Sequence, residues 1–260
     1  MGNNPSVGAM NISGVTIKSP GELQHMKQAG EVVKKTKEII KEAIDSGVST
    51  YDLDRIAENE IRKQGAVPSF KGLYGFPATI CTSINHEIVH GIPSAKRVLK
   101  AGDIISVDVG AVVGGFHADS AFTVSIGEVE ESVYKLIVDT SESLKCGIEK
   151  AVPKGRIGDI SAAVQKYAEV RGYGVVRQYV GHGIGRALHE DPQVPNYGEQ
   201  GKGLQLREGM TIAIEPMLNL GTWKTQVEDD GWTVITADGS LSAHFEDTVA
   251  ITNNGPEVLT

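Results

Sequence analysis

The spacing of hydrophobic positions predicts two amphipathic helices at the start of the chain. Residues 19–22 combine an N-cap serine, a proline at the first helical position and a glutamate three residues past the cap. Apolar residues then recur at helical spacing over 23–44, and Gly47 ends that pattern. A second helix is predicted to open near Ser49 and to end at Gly65.

The pattern changes after the second helix to short β-rich runs, which continue to about residue 127. The runs 103–109 and 121–124 are typical of strands, and Gly, Asn and Pro turns separate such runs. Helical spacing returns at about 130–150 and 159–171, and strand-like runs then follow to the C-terminus. The chain therefore repeats an order of two helices followed by strands.

This repeated order predicts an internal repeat with halves at about 15–128 and 129–260. An offset of 107 positions places the glycine that ends the second helix of the first half on its counterpart in the second half. The same offset places Asp108 on Glu215, so an acidic residue interrupts an apolar strand at equivalent points of both halves.

Composition and charge narrow the class of protein. The 260 residues are 40% hydrophobic and 22% charged, which is typical of a chain that buries a sizeable core. A formal net charge of −8 argues against a broad basic face, so nucleic-acid binding is not expected. No stretch approaches the roughly 18 apolar residues of a membrane helix. The chain has two cysteines, Cys81 and Cys146, which suits a reducing compartment. A cytoplasmic location is therefore predicted. The small, polar residues 1–14 are predicted to form a flexible arm.

Four carboxylates in apolar strands are the main chemical signal. Asp108 and Glu215 form one pair, and Asp119 and Glu246 form a second pair with an offset of 127 positions. Burying an unpaired carboxylate costs several kcal/mol, and none of the four strands carries a basic residue. Two divalent cations would balance four carboxylates, and oxygen ligands with one imidazole suit Mn, Fe, Co or Zn.

Three histidines are candidates for the imidazole and for acid–base chemistry. His182 lies among the glycines of 181–185, which permit close approach of the backbone to its neighbours. This run has neither the spacing nor the following lysine of a phosphate-binding loop. His90 and His189 alone are typical of surface or packing positions, but beside a metal centre they become candidates for polarising a carbonyl or moving protons.

Eight segments of the chain, in this order and spacing, form a highly specific pattern. They are 83–93, 103–109, 115–120, 179–186, 189–193, 209–217, 230–233 and 241–248. The pattern resembles the type I methionine aminopeptidases of the pita-bread metallopeptidase fold, and the likeness runs from about residue 15 to the C-terminus. It implies an α+β pita-bread fold with a pseudo-two-fold internal repeat and a central antiparallel sheet whose outer face is covered by helices. It also implies one metallopeptidase catalytic domain over 15–260.

The resemblance implies a dinuclear metal centre and the residues around it. The implied metal ligands are Asp108, Asp119, His182, Glu215 and Glu246, and the implied substrate-contacting histidines are His90 and His189. A monovalent-cation site of backbone carbonyls maps near Asn85, Glu87 and Ser242. The implied methionine pocket consists of Phe70, Leu73, Phe76, Cys81, Leu188 and Trp232.

The implied pocket departs from the family pattern at three positions. Leu73 and Phe76 stand where the family often has tyrosines, and Leu188 stands where it often has phenylalanine. The pocket stays apolar, so methionine specificity is expected to survive without the hydrogen bonds of tyrosine hydroxyls.

The activity implied by the resemblance is removal of an N-terminal (initiator) methionine from peptides and nascent chains whose second residue is small. The implied mechanism is attack by water activated between two metal ions, in which Glu215 takes a proton, His189 stabilises the oxyanion and His90 contacts the scissile amide. The alternatives are a proline-directed aminopeptidase of the same fold and a non-catalytic pita-bread scaffold, which typically lacks the metal ligands. The 26 positions between His189 and Glu215 favour type I over type II, which carries a long helical insertion. The family expectation is a monomer, while the physiological metal and contact with the ribosome stay open.

Overall fold

The structure is a computed structural model that describes residues 14–260. The predicted N-terminal arm therefore lies outside the described residues, except for Gly14. Within the described part of the chain, no helix combines the length and the apolar character that crossing a lipid bilayer requires.

Residues 14–260 form four α-helices and fifteen short strands. The helices are α1 (Pro20–Ala43), α2 (Thr50–Lys63), α3 (Glu131–Ile148) and α4 (Ile157–Glu169). The strands before α3 are β1 (Val67–Pro68), β2 (Ile80–Ile84), β3 (Glu87–Val89), β4 (Ile104–Val113) and β5 (Phe116–Ser125). The strands after α4 are β6 (Gly174–Val175), β7 (Gly181–Gly183), β8 (Glu190–Val194), β9 (Thr211–Ile214), β10 (Met217–Asn219), β11 (Thr225–Val227), β12 (Val234–Thr236), β13 (Ser242–His244), β14 (Glu246–Thr252) and β15 (Gly255–Val258).

At the starts of α1, α2 and α4, side chains accept hydrogen bonds from backbone N–H groups. Ser19 forms a capping box on α1, in which its hydroxyl accepts from the backbone N–H of the third helical residue. Ser49 caps α2 with its hydroxyl. Helix α4 begins two residues before its predicted start because the Asp159 carboxylate accepts from the Arg156 backbone N–H, at 2.8 Å, and closes an earlier first turn.

The central hairpin is longer than the β-rich runs of the sequence predict. Strands β4 and β5 are each 10 residues long and pair in antiparallel fashion along their whole length. The run predicted to end at residue 109 continues through Gly110 to Val113, and the ring of Phe70 packs over Gly110. A Cβ atom on Gly110 would lie 2.6 Å from Phe70 Cε1, so only glycine leaves room for the ring.

Strands from both halves build one nine-stranded antiparallel sheet. Its main order is β1-β4-β5-β14-β9-β7-β8, with β2 paired to β4 and β15 paired to β14. Strands β5 and β14 meet at the centre, and β4 and β9 flank them on either side. Equivalent strands of the two halves therefore take equivalent places about the β5/β14 junction.

The helices cover one face of this sheet. One hydrophobic cluster joins α1 and α2 to β4 and β5 and includes Val33 and Val107. A second cluster joins α3 and α4 to β9 and β14 and includes Ile160 and Ile212. Burial of each such aliphatic side chain contributes about 1.5–3 kcal/mol to folding. The predicted fold class, an antiparallel sheet with helices packed on its outer face, is confirmed.

Candidate metal centre and active site

Strand alternation places the four predicted carboxylates on the sheet face opposite to the helices. In β4, Asp108 lies between two valines that pack against α1 and α2, and successive strand residues point to opposite faces. The same alternation directs Asp119 of β5 and Glu246 of β14 away from the helices, and Glu215 directly follows the buried strand β9. Ala121 pairs with both Asp108 and Glu246, so carboxylates from the two halves become neighbours.

His182 lies among these carboxylates and offers them one ring nitrogen. Its Nε2 atom lies 3.6 Å from Asp119 Oδ2 and 3.7 Å from Glu215 Oε1. One ligand atom each from Asp119, His182 and Glu246 fall within 4.8 Å of one another, a spacing that one metal ion can bridge. The other ring nitrogen, Nδ1, lies 2.9 Å from the Gly183 carbonyl oxygen. Because Nδ1–H donates there, Nε2 keeps a lone pair for a metal.

Glycines on both sides of His182 allow the close backbone approach that the sequence predicts. A Cβ atom on Gly181 would lie 2.3 Å from the Ala213 carbonyl oxygen of β9. A Cβ atom on Gly183 would lie 2.1 Å from the Asp191 carbonyl oxygen of β8. The two glycines thus let β7 fit between its neighbours and hold His182 over the carboxylates.

Burial raises the pKa of every carboxyl group in the cluster. Burial first, and then repulsion between the carboxylates, raises the pKa of Asp108, Glu215 and Glu246 well above the ordinary value. Burial raises the pKa of Asp119 to about 6, although the Thr248 hydroxyl donates to its carboxylate. Asp108 Oδ1 is buried and has no hydrogen-bond partner within residues 14–260. An orphaned oxygen among four carboxylates and one imidazole fits divalent cations of the hard or borderline class.

A lysine behind the sheet supplies part of the positive charge that the strands lack. Lys37 of α1 places its ammonium group beside the Ser120 hydroxyl and 3.7 Å from Asp247 Oδ1. Each partner directly follows a site carboxylate in the sequence and faces the helices. The sequences of the four carboxylate-bearing strands do not indicate that Lys37 lies near them. The signal that could reveal it is a lysine four residues after Val33, on the buried stripe of α1.

A further histidine lies beside the carboxylates and was not predicted as a site residue. His244 of β13 is 2% exposed, and its Nε2 atom lies 3.7 Å from Glu215 Oε2 and 4.0 Å from Glu246 Oε2. This Nε2 atom has no hydrogen-bond partner among the described residues. Burial lowers the pKa of His244 to about 3, so the ring is neutral at pH 7. Its signal in the sequence is its place two residues before Glu246, which puts both side chains on one face.

A cavity of about 600 Å³ opens onto the carboxylate cluster. All six residues of the predicted methionine pocket line it, namely Phe70, Leu73, Phe76, Cys81, Leu188 and Trp232. Phe76 and Trp232 meet edge to face, with ring centroids 5.2 Å apart. Tyr74 also lines the cavity although 78% of its surface is exposed. One side of the cavity is thus apolar and aromatic, and the other carries the ionisable groups.

His90 and His189 also line the cavity and are neutral at pH 7. Burial lowers the pKa of His90 to about 4, and burial also lowers the pKa of His189. The His189 ring meets the His182 ring edge to face at a centroid distance of 4.5 Å. The His90 ring meets Tyr179 in the same manner at 5.7 Å. Each neutral imidazole therefore brings one donor and one acceptor to the cavity.

The residues of the predicted monovalent-cation site lie together outside the lining of this cavity. The Asn85 carbonyl oxygen accepts from the Ser242 backbone N–H at 2.9 Å. The Asn85 side chain donates to Asp103 Oδ1 at 2.8 Å, and the Glu87 carboxylate pairs with Arg97. Cation binding by backbone carbonyls here stays a prediction.

Relatives of known family resemble the chain over nearly its whole length. Residues 24–253 match the model of metallopeptidase family M24. The chain is 55% identical over 246 residues to a methionine aminopeptidase of Clostridium acetobutylicum, an alignment that covers 95% of this chain and 98% of the relative. It is 51% identical to methionine aminopeptidase 1 of Bacillus subtilis, with 95% and 99% covered.

Solved structures show the same fold. The methionine aminopeptidase of Thermotoga maritima matches with a TM-score of 0.93 and 46% identity, over 95% of this chain and 99% of that chain. The prolidase of Pyrococcus furiosus matches with a TM-score of 0.77 and 26% identity, over 94% of this chain and 65% of that chain. The family match, the identities to full-length relatives and the pita-bread fold lead to one conclusion: the chain belongs to metallopeptidase family M24.

Proposed function

We propose that the chain is a methionine aminopeptidase, which hydrolyses the peptide bond after an N-terminal methionine. The observation that carries the proposal is the meeting of a carboxylate–imidazole cluster with an apolar, aromatic-walled cavity. The match to family M24 supports metallopeptidase chemistry, and relatives that are 55% and 51% identical to the chain are named methionine aminopeptidases.

Asp108, Asp119, His182, Glu215 and Glu246 are the residues that would hold two divalent ions. When bound, such ions supply a Lewis acid that polarises a carbonyl and lowers the pKa of water from 15.7 towards roughly 7. The neutral Nε2 of His182 and the orphaned oxygen of Asp108 support this assignment. The donor set accepts Co, Mn, Fe or Zn, so availability would select the ion.

Three residues of the chain would guide the proton and the substrate. Glu215 would accept the proton of the attacking water and pass it to the departing amine. His189 would donate a hydrogen bond to the oxygen that becomes negatively charged, and His90 would contact the scissile amide. Both imidazoles are neutral at pH 7 because burial lowers the pKa of each, so neither group must first lose a proton.

The cavity wall supports methionine as the side chain that is bound. A thioether is flexible and polarisable, and it makes favourable contacts with ring edges such as those of Phe76 and Trp232. Leu73 and Leu188 complete an apolar surface without hydroxyl groups. A small second residue is proposed because the histidines and the carboxylate cluster share the space next to the scissile bond.

The test measures release of free methionine from Met-Ala-Ser, and of products from a proline-containing peptide, with and without added Co²⁺ or Mn²⁺. We expect free methionine to be released from Met-Ala-Ser and no product from the proline-containing peptide. Chelation of the metal ions should abolish the release of methionine. Glu215→Gln should lower kcat by roughly 10²–10⁴-fold, the usual range for loss of general acid–base catalysis. Glu42→Gln, on the exposed side of α1, is the matched control and should leave kcat unchanged.

Two outcomes would replace the proposal. Cleavage of the proline-containing peptide without release of methionine would favour a proline-directed aminopeptidase. No cleavage of either peptide by the metal-loaded protein would favour a non-catalytic scaffold.

The site of action and the partners are also part of the proposal. The free thiols of Cys81 and Cys146 fit a reducing compartment, so we place the enzyme in the cytoplasm with peptides and nascent chains as substrates. The monomeric state, one catalytic domain over 15–260 and contact with the ribosome stay predictions.

A further inference from the structure

An N-terminal strap, residues 14–19, lies against the segment that carries His189. Val15 forms a parallel bridge with Asp191 at the start of β8. The Lys18 backbone N–H donates to the Gly209 carbonyl oxygen at 2.7 Å. The strap is thus attached at Val15 and at Lys18 itself.

Lys18 buries its ammonium group in contact with Glu190. The two side chains are 4% and 10% exposed, and Lys18 Nζ lies 2.7 Å from Glu190 Oε2. The Thr16 hydroxyl donates to the same carboxylate oxygen at 2.5 Å. Burial lowers the pKa of Lys18, and burial alone would raise the pKa of Glu190, but hydrogen bonds from Lys18 and Thr16 bring that pKa below its ordinary value. The Glu190 carboxylate is therefore ionised at pH 7, and Lys18 Nζ lies within hydrogen-bond distance of it.

Glu190 uses its other carboxylate oxygen to close the turn that contains His189. The Ala187 backbone N–H donates to Glu190 Oε1 at 3.2 Å, so one carboxylate ties the residues on both sides of His189. The space around this contact is full. A Cβ atom on Gly185 would lie 2.5 Å from Lys18 Cε and 2.7 Å from Glu190 Oε1.

The His189 ring depends on this turn for its place over the cavity. Within residues 14–260 its side chain makes no hydrogen bond, and its ring pairs with the rings of His182, at a centroid distance of 4.5 Å, and the exposed Tyr74, at 6.3 Å. The backbone on either side of His189 must therefore set the direction of the ring.

We infer that Lys18 is a positioning residue for His189. Its ammonium group holds the Glu190 carboxylate, the carboxylate fixes the turn at 187–190, and the turn aims the imidazole at the reacting carbonyl. The inference rests on the proposed function only in the role it gives His189. It adds a residue of the N-terminal strap to the requirements of the reaction.

The test compares Lys18→Met with wild type. Methionine keeps most of the side-chain length but leaves the Glu190 carboxylate buried without its cation. We expect kcat to fall roughly 10- to 100-fold, the range for a displaced reacting group, while metal stoichiometry stays unchanged. Lys27→Met is the matched control, because Lys27 forms an ion pair of the same length, 2.7 Å, with Glu257 at 40% and 43% exposure. The control should keep wild-type kcat.

The same substitution in His189→Ala protein separates a role in positioning His189 from a general loss of structure. In His189→Ala protein, Lys18→Met should lower kcat less than about twofold further, because the residue it positions is already absent. A full 10- to 100-fold additional loss would overturn the inference. If Lys18→Met does not fold, Thr16→Val replaces it: a smaller loss of kcat in the wild-type background, absent in His189→Ala protein, is expected, and an equal loss in both backgrounds overturns the inference.

A readout without turnover keeps this inference distinct from the proposed function. The ring resonances of His189 should shift in Lys18→Met protein and not in Lys27→Met protein. Failure of wild type to release methionine would reject the proposed function alone. Unchanged His189 resonances in Lys18→Met protein would reject the positioning role alone.

Discussion

At the scale of single residues, the site consists of groups whose charged forms are unfavourable when they are buried without a cation. Asp108, Glu215 and Glu246 have pKa values raised by burial and by one another. His182 donates from Nδ1 to the backbone and so turns its free nitrogen towards them. The chemistry therefore depends on the charge state of four carboxyl groups and on the direction of one ring.

His182→Ala should weaken metal binding by more than roughly 100-fold, the upper figure for residues that merely support a metal ligand. The reason is that the described cluster of Asp119, His182 and Glu246 loses its nitrogen donor. Isothermal titration with Mn²⁺ or Co²⁺ measures the affinity. His86→Ala, a half-buried histidine outside the cavity lining, is the control and should bind as wild type does. Equal affinity in both variants would remove His182 from the ligand set.

Metal uptake should release protons, and its affinity should rise with pH between about 5 and 7. Burial raises the pKa of Asp119 to about 6 and raises the pKa values of Asp108 and Glu246 well above their ordinary values, so the metal-free cluster holds protons in this range. Metal binds only the deprotonated form, hence each proton must leave first. Titration in two buffers of different ionisation enthalpy counts the protons released. A heat that is the same in both buffers at pH 6 would contradict this.

At the scale of elements, β7 shows how a strand can be constrained by its neighbours. Gly183 has a backbone carbonyl of β8 where a side chain would begin. Gly183→Ala should lower the free energy of unfolding by about 1–3 kcal/mol, because β7 must move away from β8. The same shift should weaken metal binding, since the strand carries His182. Thermal unfolding and metal titration measure the two effects.

Gly21 is the matched position for this substitution. It is exposed in the first turn of α1, and a Cβ atom there would meet no heavy atom within 4 Å. Gly21→Ala should raise stability by up to about 0.5–1 kcal/mol through helix propensity, with no change in metal affinity. A loss of stability in both variants would refute the steric argument for Gly183.

The elements also show why the sequence predicts part of the site and not the rest. Asp108 and Glu215 could be found because an acid inside an apolar strand is unusual wherever it occurs. Lys37 and His244 carry weaker signals, a lysine beside the buried stripe of α1 and a histidine two residues before Glu246, and neither signal shows which carboxylate the residue meets. Their importance comes from sheet register and helix packing, which bring α1 and β13 to carboxylates far away in the chain. Sequence spacing carries local geometry, and these contacts are not local.

At the scale of the whole molecule, metal should contribute to stability, because the intact cluster exists only in the folded chain. At an ion concentration 100 times the dissociation constant, one site adds about 2.7 kcal/mol. For a chain of this length that raises Tm by roughly 5 to 10 °C. Differential scanning calorimetry with Mn²⁺ and with chelator measures the shift. His182→Ala protein should show a much smaller shift, and an equal one would place the stabilising metal elsewhere.

The β5/β14 junction has a consequence for how the two halves of the chain depend on each other. Asp108 and Asp119 come from the first half, Glu215 and Glu246 come from the second, and the central strands share the register pairs Ala121↔Glu246 and Ser120↔Asp247. Neither half alone carries more than two of the four carboxylates. A metal pair bound here would act as a reversible cross-link between the two halves. Metal binding and association of the halves would therefore stabilise each other.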